Sequence, residues 1–458
     1  MGTMQNAPLH DASRVTHFRC DPAEVDGNTI RVRSSAHIGD EPFMAFTEVI
    51  ELPASLADAD AAVAAETVKL LSLAVSLSYF KAFAPAIYAV PEGLTPQQRV
   101  FITELISHGL GEFAHVNDLP EVLDTRIEAP ILDDPSSVVP AGMSGSGAPM
   151  EIRRPLVAVG GGKDSIVSID VMRRAGLDYG LFAVNAKRPM IDTAAVAGRP
   201  LESATRTLDP QLFDLNRSGA PNGHVPVTAI NSLIALLTAM AAGYDAVVFS
   251  NEASASYGNL NWHGRFINHQ WSKSNEFEGL LRETLPEGAP GYFSVLRPLT
   301  EICIARRFAE LTEFHGVVTS CNRAFRIHDD TPKRWCGDCP KCRFVFLMLA
   351  PFMSKEQLLT IFEGNDMLSD ATQREGFFEL MGADGIAKPF ECVGEPDECR
   401  VALSLLAAHP DWAKHEVLTD PRFAALVLPA EAQDRVFSWR NETHFLPTEL
   451  EGFVRAVS

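Results

Sequence analysis

Hydrophobic positions along the chain follow two patterns, which meet near residue 150. In residues 15–52 apolar residues alternate with polar ones and are broken by Gly-containing turn signals, which predicts strands. Helical spacing follows in residues 57–83 and 96–111. Residues 129–150 are rich in Pro, Ser and Gly and have no period, which predicts a linker.

Beyond the linker, apolar runs alternate with stretches of helical spacing, as in a parallel sheet covered by helices on both faces. Residues 351–458 have helical spacing with Pro interruptions. The candidate strands are residues 156–159, 179–184, 246–250, 294–296 and 316–319, and the candidate helices begin near Ser165, Thr228 and Glu301. We therefore expect an α/β protein with an N-terminal α+β domain (1–128), the linker (129–150), a doubly wound parallel sheet (151–350) and a helical C-terminal region (351–458).

Composition narrows the range of partners. A chain of 458 residues with 46% hydrophobic content can bury two or three domains. A net charge of −20 argues against a nucleic-acid partner, because clustered Lys and Arg supply that affinity. The N-terminus lacks the pattern of a secretory signal, and the apolar stretches 70–80 and 230–242 are shorter than the roughly 20 residues that cross a bilayer. We expect a cytoplasmic protein with no membrane partner, either a monomer or a homo-oligomer.

The segment LVAVGGGKDSIVSIDVMRRAG passes from an apolar strand through three glycines into a helix. Glycines at such a turn let backbone N–H groups close on phosphate oxygens, while the helix directs its positive dipole end at the same anion. A Walker-type loop needs Ser or Thr after its Lys, but Asp164 follows Lys163. A dinucleotide fingerprint needs a third glycine three residues after the second, which residues 160–165 do not supply.

The motif GGGKDS resembles the Ser-Gly-Gly-x-Asp-Ser loop of the ATP pyrophosphatase (PP-loop) family, with Gly160 where that family usually has Ser. The resemblance implies a sheet of PP-loop type and cleavage of ATP between its α and β phosphates. It also implies Mg²⁺ at Asp164 and neutralisation of leaving-group charge by Lys163. The residues expected to bind ATP lie in the turn and after the next strands: Gly160, Gly161, Gly162, Lys163, Asp164, Ser165, Asn185, Ser250 and Asn251.

Four of the eight cysteines cluster in the segment SCNRAFRIHDDTPKRWCGDCPKC. Four thiolates at these spacings suit tetrahedral Zn²⁺, and a closed four-sulfur shell leaves no open position for catalysis. We therefore predict a structural zinc site, with an iron–sulfur cluster as the alternative. The metal ligands would be Cys321, Cys336, Cys339 and Cys342.

Two further segments, SNEASASYGNLNWHGRFINHQWSKSNEFEG and KPFECVGE, resemble the UDP-N-acetylmuramoyl-L-alanyl-L-glutamate epimerase family. The resemblance extends over most of the chain. It implies ATP-dependent inversion of the terminal L-Glu of a UDP-muramoyl dipeptide, a peptidoglycan precursor, with release of AMP and pyrophosphate. Adenylation would turn a carboxylate into a neutral acyl group, which can delocalise the carbanion left when the α-proton is removed.

Inversion needs a proton acceptor and a proton donor near the same carbon. His269 and Lys273 are the preferred candidates, with a structural role for His269 and a phosphate or carboxylate contact for Lys273 as the alternatives. Glu252, His328 and Cys392 are further candidates, although we expect Cys392 to be a buried apolar thiol. The residues expected to contact the substrate are Glu252, Arg265, Arg297 and His328. The two arginines suit carboxylates and phosphates, with pairing to surface acids as the alternative.

Two other functions stay open at this point. One is a different carboxylate-adenylating PP-loop enzyme, an amide or nitrile synthase, whose product would depend on added ammonia. The other is a zinc-stabilised protein that binds ATP without cleaving it. Asp164 and Ser165 argue against that second function, because they indicate a working Mg²⁺ site.

Overall fold

The structure is a computed structural model that describes residues 12–133, 152–325, 333–385, 388–440 and 444–458. Residues 134–150, most of the predicted linker, lie outside the described residues. The strands are β1 (His17–Cys20), β2 (Glu24–Asp26), β3 (Thr29–Ile38), β4 (Glu41–Glu51), β5 (Ile87–Ala89), β6 (Arg126–Glu128), β7 (Pro155–Ala158), β8 (Gly180–Val184), β9 (Leu201–Thr207), β10 (Ala246–Phe249), β11 (Leu260–Trp262), β12 (Arg265–Ile267) and β13 (Gly291–Ser294). The α-helices are α1 (Ala61–Phe80), α2 (Pro96–Ser107), α3 (Gly111–Asn117), α4 (Lys163–Arg174), α5 (Arg188–Ala197), α6 (Gln211–Arg217), α7 (Val227–Ala242), α8 (Asn275–Thr284), α9 (Glu301–Ala309), α10 (Pro340–Leu349), α11 (Lys355–Ile361), α12 (Arg374–Leu380), α13 (Pro396–Ala407), α14 (Glu416–Thr419), α15 (Pro421–Ala424), α16 (Ala430–Phe437) and α17 (Thr448–Arg455).

One large sheet runs through the molecule in the strand order β13-β10-β7-β8-β9-β4-β3-β1-β5-β6, with β2 paired to β3. The strands from β13 to β9 are all parallel. Counted in chain order, β7, β8, β9, β10 and β13 are strands 1 to 5 of this parallel part, and they lie side by side in the order 5-4-1-2-3. The chain adds β8 and β9 on one side of β7 and then β10 and β13 on the other side, so the direction changes between β7 and β10. Doubly wound sheets bind their ligands at the carboxyl ends of the strands beside such a switch point.

Side chains of the parallel strands alternate between two hydrophobic cores, one on each face. Val157 and Val248 pack with α4, α9 and α10 on one face. Leu156 and Val247 pack with α1 and α7 on the other face. Burial on both faces explains why these strands read as unbroken apolar runs in the sequence. The predicted α/β class with a mostly parallel sheet is confirmed.

Helix α1 is long and apolar enough to cross a membrane, judged by length and composition alone. In the structure, 72% of its apolar window is buried inside the fold, where it packs against α7 and β3. Asp60 caps the helix by accepting hydrogen bonds from the backbone N–H groups of Ala62 and Val63. The apolar stretch within it is therefore a buried core helix, as predicted.

The N-terminal strands and the parallel strands belong to the same sheet, because β4 pairs with β9. Glu48 on β4 is fully buried, and its Oε1 lies 2.5 Å from Nε of Arg206 on β9. Tyr79 of α1 donates a hydrogen bond to Glu48 Oε2 at 2.9 Å. A buried ion pair thus joins the two parts of the sheet.

Three strand predictions differ from the structure. Residues 316–319 are irregular, and the Thr319 N–H donates to the Gly161 carbonyl at 2.9 Å. The last parallel strand, β13, begins at Gly291, before the predicted 294–296. The sequence LESATRT of β9 is mostly polar, so its pairing with β8 and β4 was not predicted.

Candidate active site

The glycine turn joins β7 to α4 beside the switch point of the sheet. Gly161 has a φ of +79°, and a Cβ there would lie 2.9 Å from Pro189 Cβ, so the position requires glycine. Gly162 is the N-cap of α4 without a side-chain cap hydrogen bond, and a Cβ at Gly160 would meet no heavy atom within 4 Å. Because the first N–H groups of a helix have no partner inside it, the turn presents donors toward an open space that suits an anion.

Lys163 and Asp164, the first residues of α4, belong to a buried charge cluster. The Lys163 ammonium contacts the carboxylates of both Asp164 and Glu301, and only 2% of its side chain is exposed. Burial alone would lower the pKa of Lys163, but these two carboxylates raise it and keep the side chain charged. Burial and the Asp164 charge raise the pKa of Glu301 to about 7. A fixed ammonium beside an anion-binding turn can neutralise charge that develops on a leaving phosphate.

Three polar residues follow β10, the neighbour of β7 across the switch point. Ser168 of α4 donates a hydrogen bond to Ser250 Oγ at 2.7 Å, and Asn251 Nδ2 donates to a serine of β13 at 3.1 Å. Glu252 is 5% exposed, and burial followed by the Asp164 charge raises its pKa. The structure therefore brings Ser250, Asn251 and Glu252 to the same end of the sheet as the glycine turn.

Arg297 lies beneath this site with its donors already engaged. Its Nη2 is 2.8 Å from Oε2 of the buried Glu278. It also donates to the backbone carbonyls of Glu252 at 2.9 Å and Lys273 at 2.8 Å. Arg297 thus fixes the two loops that carry Glu252 and Lys273, and its contacts fit a positioning role more closely than the predicted contact with substrate.

Three other predicted site residues have local partners or lie outside the described part of the chain. The Asn185 amide pairs with the backbone of Arg206, donating to its carbonyl at 2.9 Å and accepting from its N–H at 2.8 Å. Arg265 pairs with Asp124 at the surface, with 2.6 Å between Nη2 and Oδ1. His328 lies outside the described residues.

The four clustered cysteines converge, as their spacing predicted. Their Sγ atoms all lie within 4.8 Å of one another, and those of Cys336 and Cys342 are 3.6 Å apart. Backbone N–H groups of the segment donate to Cys321 Sγ and Cys339 Sγ at 3.4 Å, which stabilises thiolates. Four sulfurs about 2.3 Å from one ion would lie about 3.8 Å apart. The cluster can therefore hold a single metal ion.

The cysteine cluster is tied to the glycine turn. Thr319, two residues before Cys321, donates through its N–H to the Gly161 carbonyl. Lys341 lies between two of the clustered cysteines, and its Nζ is 4.0 Å from Glu301 Oε1 and contacts the Cys392 carbonyl. A metal ion in the cluster would thus hold in place the segments that carry both contacts.

Cys392 lies among charged side chains, so the expectation of an apolar environment is wrong. Lys273 Nζ is 3.1 Å from its Sγ, and His269 Nε2 is 4.0 Å from it. The Nδ1 atom of His269 contacts the Glu112 carboxylate. Burial lowers the pKa of His269, but contacts with Cys392 and Glu112 outweigh this and raise it to about 9. Burial alone would raise the pKa of Cys392, but Lys273 and His269 hold it well below its usual value.

A cavity of about 260 Å³ lies next to the segment that carries Cys392. Its lining includes Tyr257, Asn259, Lys388, Glu395 and Arg400. Lys388 is 5% exposed, and its Nζ has no hydrogen-bond partner among the described residues. The centroid of the Tyr257 ring lies 5.6 Å from this Nζ, but a buried ammonium without a hydrogen-bond partner is still costly, so the cavity suits an anionic group of a ligand.

Lys341, Glu301 and Glu112 could not be assigned to the site from local sequence motifs alone. Lys341 stands between two predicted metal ligands, and this spacing is a signal that its position is fixed. Glu301 contacts Lys163 across 138 residues, and Glu112 contacts His269 across 157 residues. No local pattern identifies those two carboxylates, because their role comes from distant parts of the chain.

Comparisons with known proteins give a consistent result. Residues 9–295 match the family described as the MurL N-terminal domain, and residues 317–435 match the MurL C-terminal domain. A Micromonospora protein named UDP-N-acetyl-alpha-D-muramoyl-L-alanyl-L-glutamate epimerase is 49% identical, covering 80% of this chain and 81% of the relative. Relatives of the same name from Salinispora tropica and Xanthomonas oryzae pv. oryzae are 48% and 41% identical, covering 82% and 80% of this chain and 81% and 80% of the relatives. No solved structure matches the chain.

Proposed function

The chain belongs to the MurL family, and from this premise we propose that it is an isomerase that inverts the terminal L-Glu of UDP-N-acetylmuramoyl-L-alanyl-L-glutamate to D-Glu. The inversion is driven by ATP, proceeds through an acyl-adenylate, and releases AMP and pyrophosphate. A series of contacts between the glycine turn and Cys392 supports this proposal independently of the names of the relatives. These contacts run from Lys163 of the glycine turn through Glu301 and Lys341 to the Cys392 carbonyl, and so join the turn to the residue that Lys273 and His269 approach.

The reason for using ATP lies in the acidity of the α-proton. Removing it beside an ionised carboxylate would place a carbanion next to an existing negative charge. In the acyl-adenylate the same carbonyl is neutral and can take up the electron pair. A site that joins a phosphate-binding turn to acid–base groups therefore matches the needs of this reaction.

The glycine turn is the proposed ATP site, of PP-loop type. Gly160, Gly161 and Gly162 bring backbone N–H groups to the pyrophosphate, and Ser165 closes the turn by donating to the Gly162 carbonyl at 3.0 Å. Lys163 neutralises the leaving group. The Asp164 carboxylate would hold Mg²⁺, which would supply further neutralisation of phosphate charge.

Zn²⁺ is the proposed occupant of the four-cysteine cluster. The donor set is all sulfur and the sulfurs are close enough for one tetrahedral ion, which fits zinc better than a cluster of several irons. Zinc in this site supplies rigidity and no catalysis, because all four positions are taken. The segments that carry the cysteines hold Thr319 against the glycine turn and Lys341 against the segment of Cys392.

The substrate's anionic groups have candidate partners in the cavity. The UDP-muramoyl dipeptide carries a diphosphate and carboxylates, and the Lys388 ammonium, which has no hydrogen bond within the described part of the chain, suits either group. Glu252, Arg265 and the predicted His328 are further candidate contacts. A soluble nucleotide-linked precursor is consistent with a cytoplasmic enzyme that needs neither a membrane nor a nucleic-acid partner.

The test follows ATP cleavage and stereochemistry in the same reaction. The protein is incubated with ATP, Mg²⁺ and the UDP-muramoyl dipeptide in D₂O, and AMP, D-Glu and α-deuterium are measured together. The proposal predicts AMP formation that depends on the dipeptide, and D-Glu that carries deuterium at Cα. AMP without inversion, or a product that requires ammonia, would reject the epimerase. Inversion without ATP would reject the adenylation step.

A further inference from the structure

Charged side chains from several segments lie around Cys392, and two of them approach its sulfur atom. Lys273 and His269 approach Sγ from the segment that precedes α8, at 3.1 Å and 4.0 Å. Lys341, at the start of α10, contacts the Cys392 carbonyl. Glu391 lies next to Cys392 in the chain and contacts Asn322. Lys388 adds a further positive charge from the same segment as Cys392. The two side chains that approach the sulfur are thus both basic, and Lys341 and Lys388 lie nearby.

His269 and Lys273, the two residues that approach Cys392 Sγ, each have a further partner that fixes their position. The Glu112 carboxylate contacts His269 Nδ1, which leaves Nε2 directed toward Cys392. The His224 ring lies 4.5 Å from the His269 ring, and burial lowers the pKa of His224 to about 3, so it adds no charge. Lys273 is held through its backbone carbonyl by Arg297. This support is typical of a group whose position and charge matter.

A series of contacts connects the backbone carbonyl of Cys392 to the glycine turn. Lys341 contacts the Cys392 carbonyl and lies 4.0 Å from Glu301, which contacts Lys163 at the start of α4. Lys273 also interacts electrostatically with Glu252 and with Asp164 of the turn. A carboxylate that is adenylated at the turn would therefore lie near the sulfur.

We propose that the Cys392 thiolate is the catalytic base that removes the α-proton of the adenylated glutamate, with Lys273, His269 and Glu112 as positioning residues that hold it in the thiolate form. This inference rests on the proposed function. It assigns the base to a residue that sequence analysis ranked below His269 and Lys273. Although burial opposes it, contacts with Cys392 and nearby carboxylates raise the pKa of both side chains, which favours their protonated forms, and a protonated side chain cannot accept a proton.

The step balances without any additional reagent. The Cα–H bond breaks, an S–H bond forms at Cys392, and the electron pair moves into the carbonyl of the acyl-adenylate. A proton of solvent origin reaches the opposite face of Cα and gives the D configuration, and Cys392 returns its proton to solvent. Hydrolysis of the mixed anhydride releases AMP and the inverted dipeptide. Proton transfer to a positioned base contributes about 10²- to 10⁴-fold in rate.

The first test separates adenylation from proton transfer. Cys392→Ser and Cys392→Ala are assayed for exchange of labelled pyrophosphate into ATP with the dipeptide present, and for α-deuterium and D-Glu in D₂O. We expect pyrophosphate exchange within about threefold of wild type and loss of deuterium incorporation by about 10²-fold or more. Inversion within tenfold of wild type in either variant would overturn the proposal. A dipeptide bound covalently to Cys392, detected by mass, would also overturn it.

A wild-type protein that fails to exchange pyrophosphate would reject the proposed function itself, which is a different result. Cys399→Ser serves as the matched control, because Cys399 is fully buried on α13 and burial raises its pKa well above the usual value. We expect that control to keep its deuterium incorporation.

A second test works on the wild-type fold and does not depend on Cys392 variants. The rate of Cys392 alkylation by iodoacetamide is mapped by peptide mass between pH 6 and 9. A thiolate held by Lys273 should react at a nearly constant rate, whereas an ordinary thiol slows about tenfold for each pH unit below its pKa. Lys273→Gln should move the profile to higher pH, and Lys273→Arg should restore it. A wild-type profile with an ordinary thiol pKa would overturn the proposal.

Discussion

Glu301 links the charge of a single residue to the pH dependence of the first chemical step. Its carboxylate contacts Lys163, and its pKa is raised to about 7 by burial and by Asp164. Above pH 7 the carboxylate is ionised and holds the ammonium over the turn, whereas below pH 7 it is protonated and Lys163 keeps only Asp164. We expect kcat/KM for dipeptide-dependent pyrophosphate release to fall as pH decreases through about 7.

Glu301→Gln tests this assignment, because the amide has no ionisation in this range. The kcat/KM of the variant should no longer fall as the pH decreases through about 7. At pH 8 it should be roughly tenfold or more below that of the wild type, at or below the low value that the wild type has at acid pH. Glu313→Gln is a suitable control, since Glu313 pairs with Arg173 at the surface. An unchanged acid limb in Glu301→Gln would assign the titration to another group.

Individual residues of the site differ in how much their local sequence reveals. The order of strand, glycines, Lys163 and Asp164 is local, so the turn could be predicted from one short segment. The sequence around Arg297 does not indicate that its guanidinium pairs with Glu278, because packing in the fold determines which partner an arginine has. The environment of Cys392 depends on Lys273 and His269, 119 and 123 residues away, and chain spacing cannot encode such a contact.

At the scale of single elements, the cysteine cluster is expected to control both metal content and the glycine turn. Cys339→Ser should lose bound zinc, lower the melting temperature by roughly 10 °C or more, and abolish pyrophosphate exchange, because Thr319 and Lys341 would lose their fixed positions. Elemental analysis and thermal unfolding measure the first two effects. Cys20→Ser, in β1 of the N-terminal part of the sheet, is the control that should keep its metal. Full metal content in Cys339→Ser would contradict this role.

Elements buried on both faces could be predicted well, while those shaped by contacts with other segments could not. The runs in β7, β8 and β10 are apolar because helices cover both of their faces. Strand β9 carries polar side chains, and its place is set by hydrogen bonds to β8 and β4. The apolar residues 316–319 resemble a strand, but their segment packs on the glycine turn, where Gly161 accepts from Thr319.

At the scale of the whole molecule, one continuous sheet predicts a single cooperative unfolding transition. Arg206→Met would leave Glu48 buried without its cation, at a cost of about 3–5 kcal/mol. Because the pair spans β4 and β9, both parts of the sheet should unfold at the same lowered temperature in calorimetry. The double variant Glu48→Met, Arg206→Met should recover most of the loss, since neither charge is then left alone. Two separate transitions in the wild type would contradict this coupling.

In the proposed reaction, the glutamate carboxylate is joined to the α-phosphate of ATP before inversion. The direct measurement uses dipeptide labelled with ¹⁸O in the α-carboxylate of its terminal Glu. If the carboxylate attacks ATP and water later attacks the acyl carbon, the bridging oxygen leaves with the nucleotide, so AMP should carry one ¹⁸O atom for each D-Glu formed. Unlabelled AMP formed alongside D-Glu would mean that no carboxylate oxygen passes to the nucleotide, and would contradict the proposed sequence of attack on ATP followed by hydrolysis at the acyl carbon.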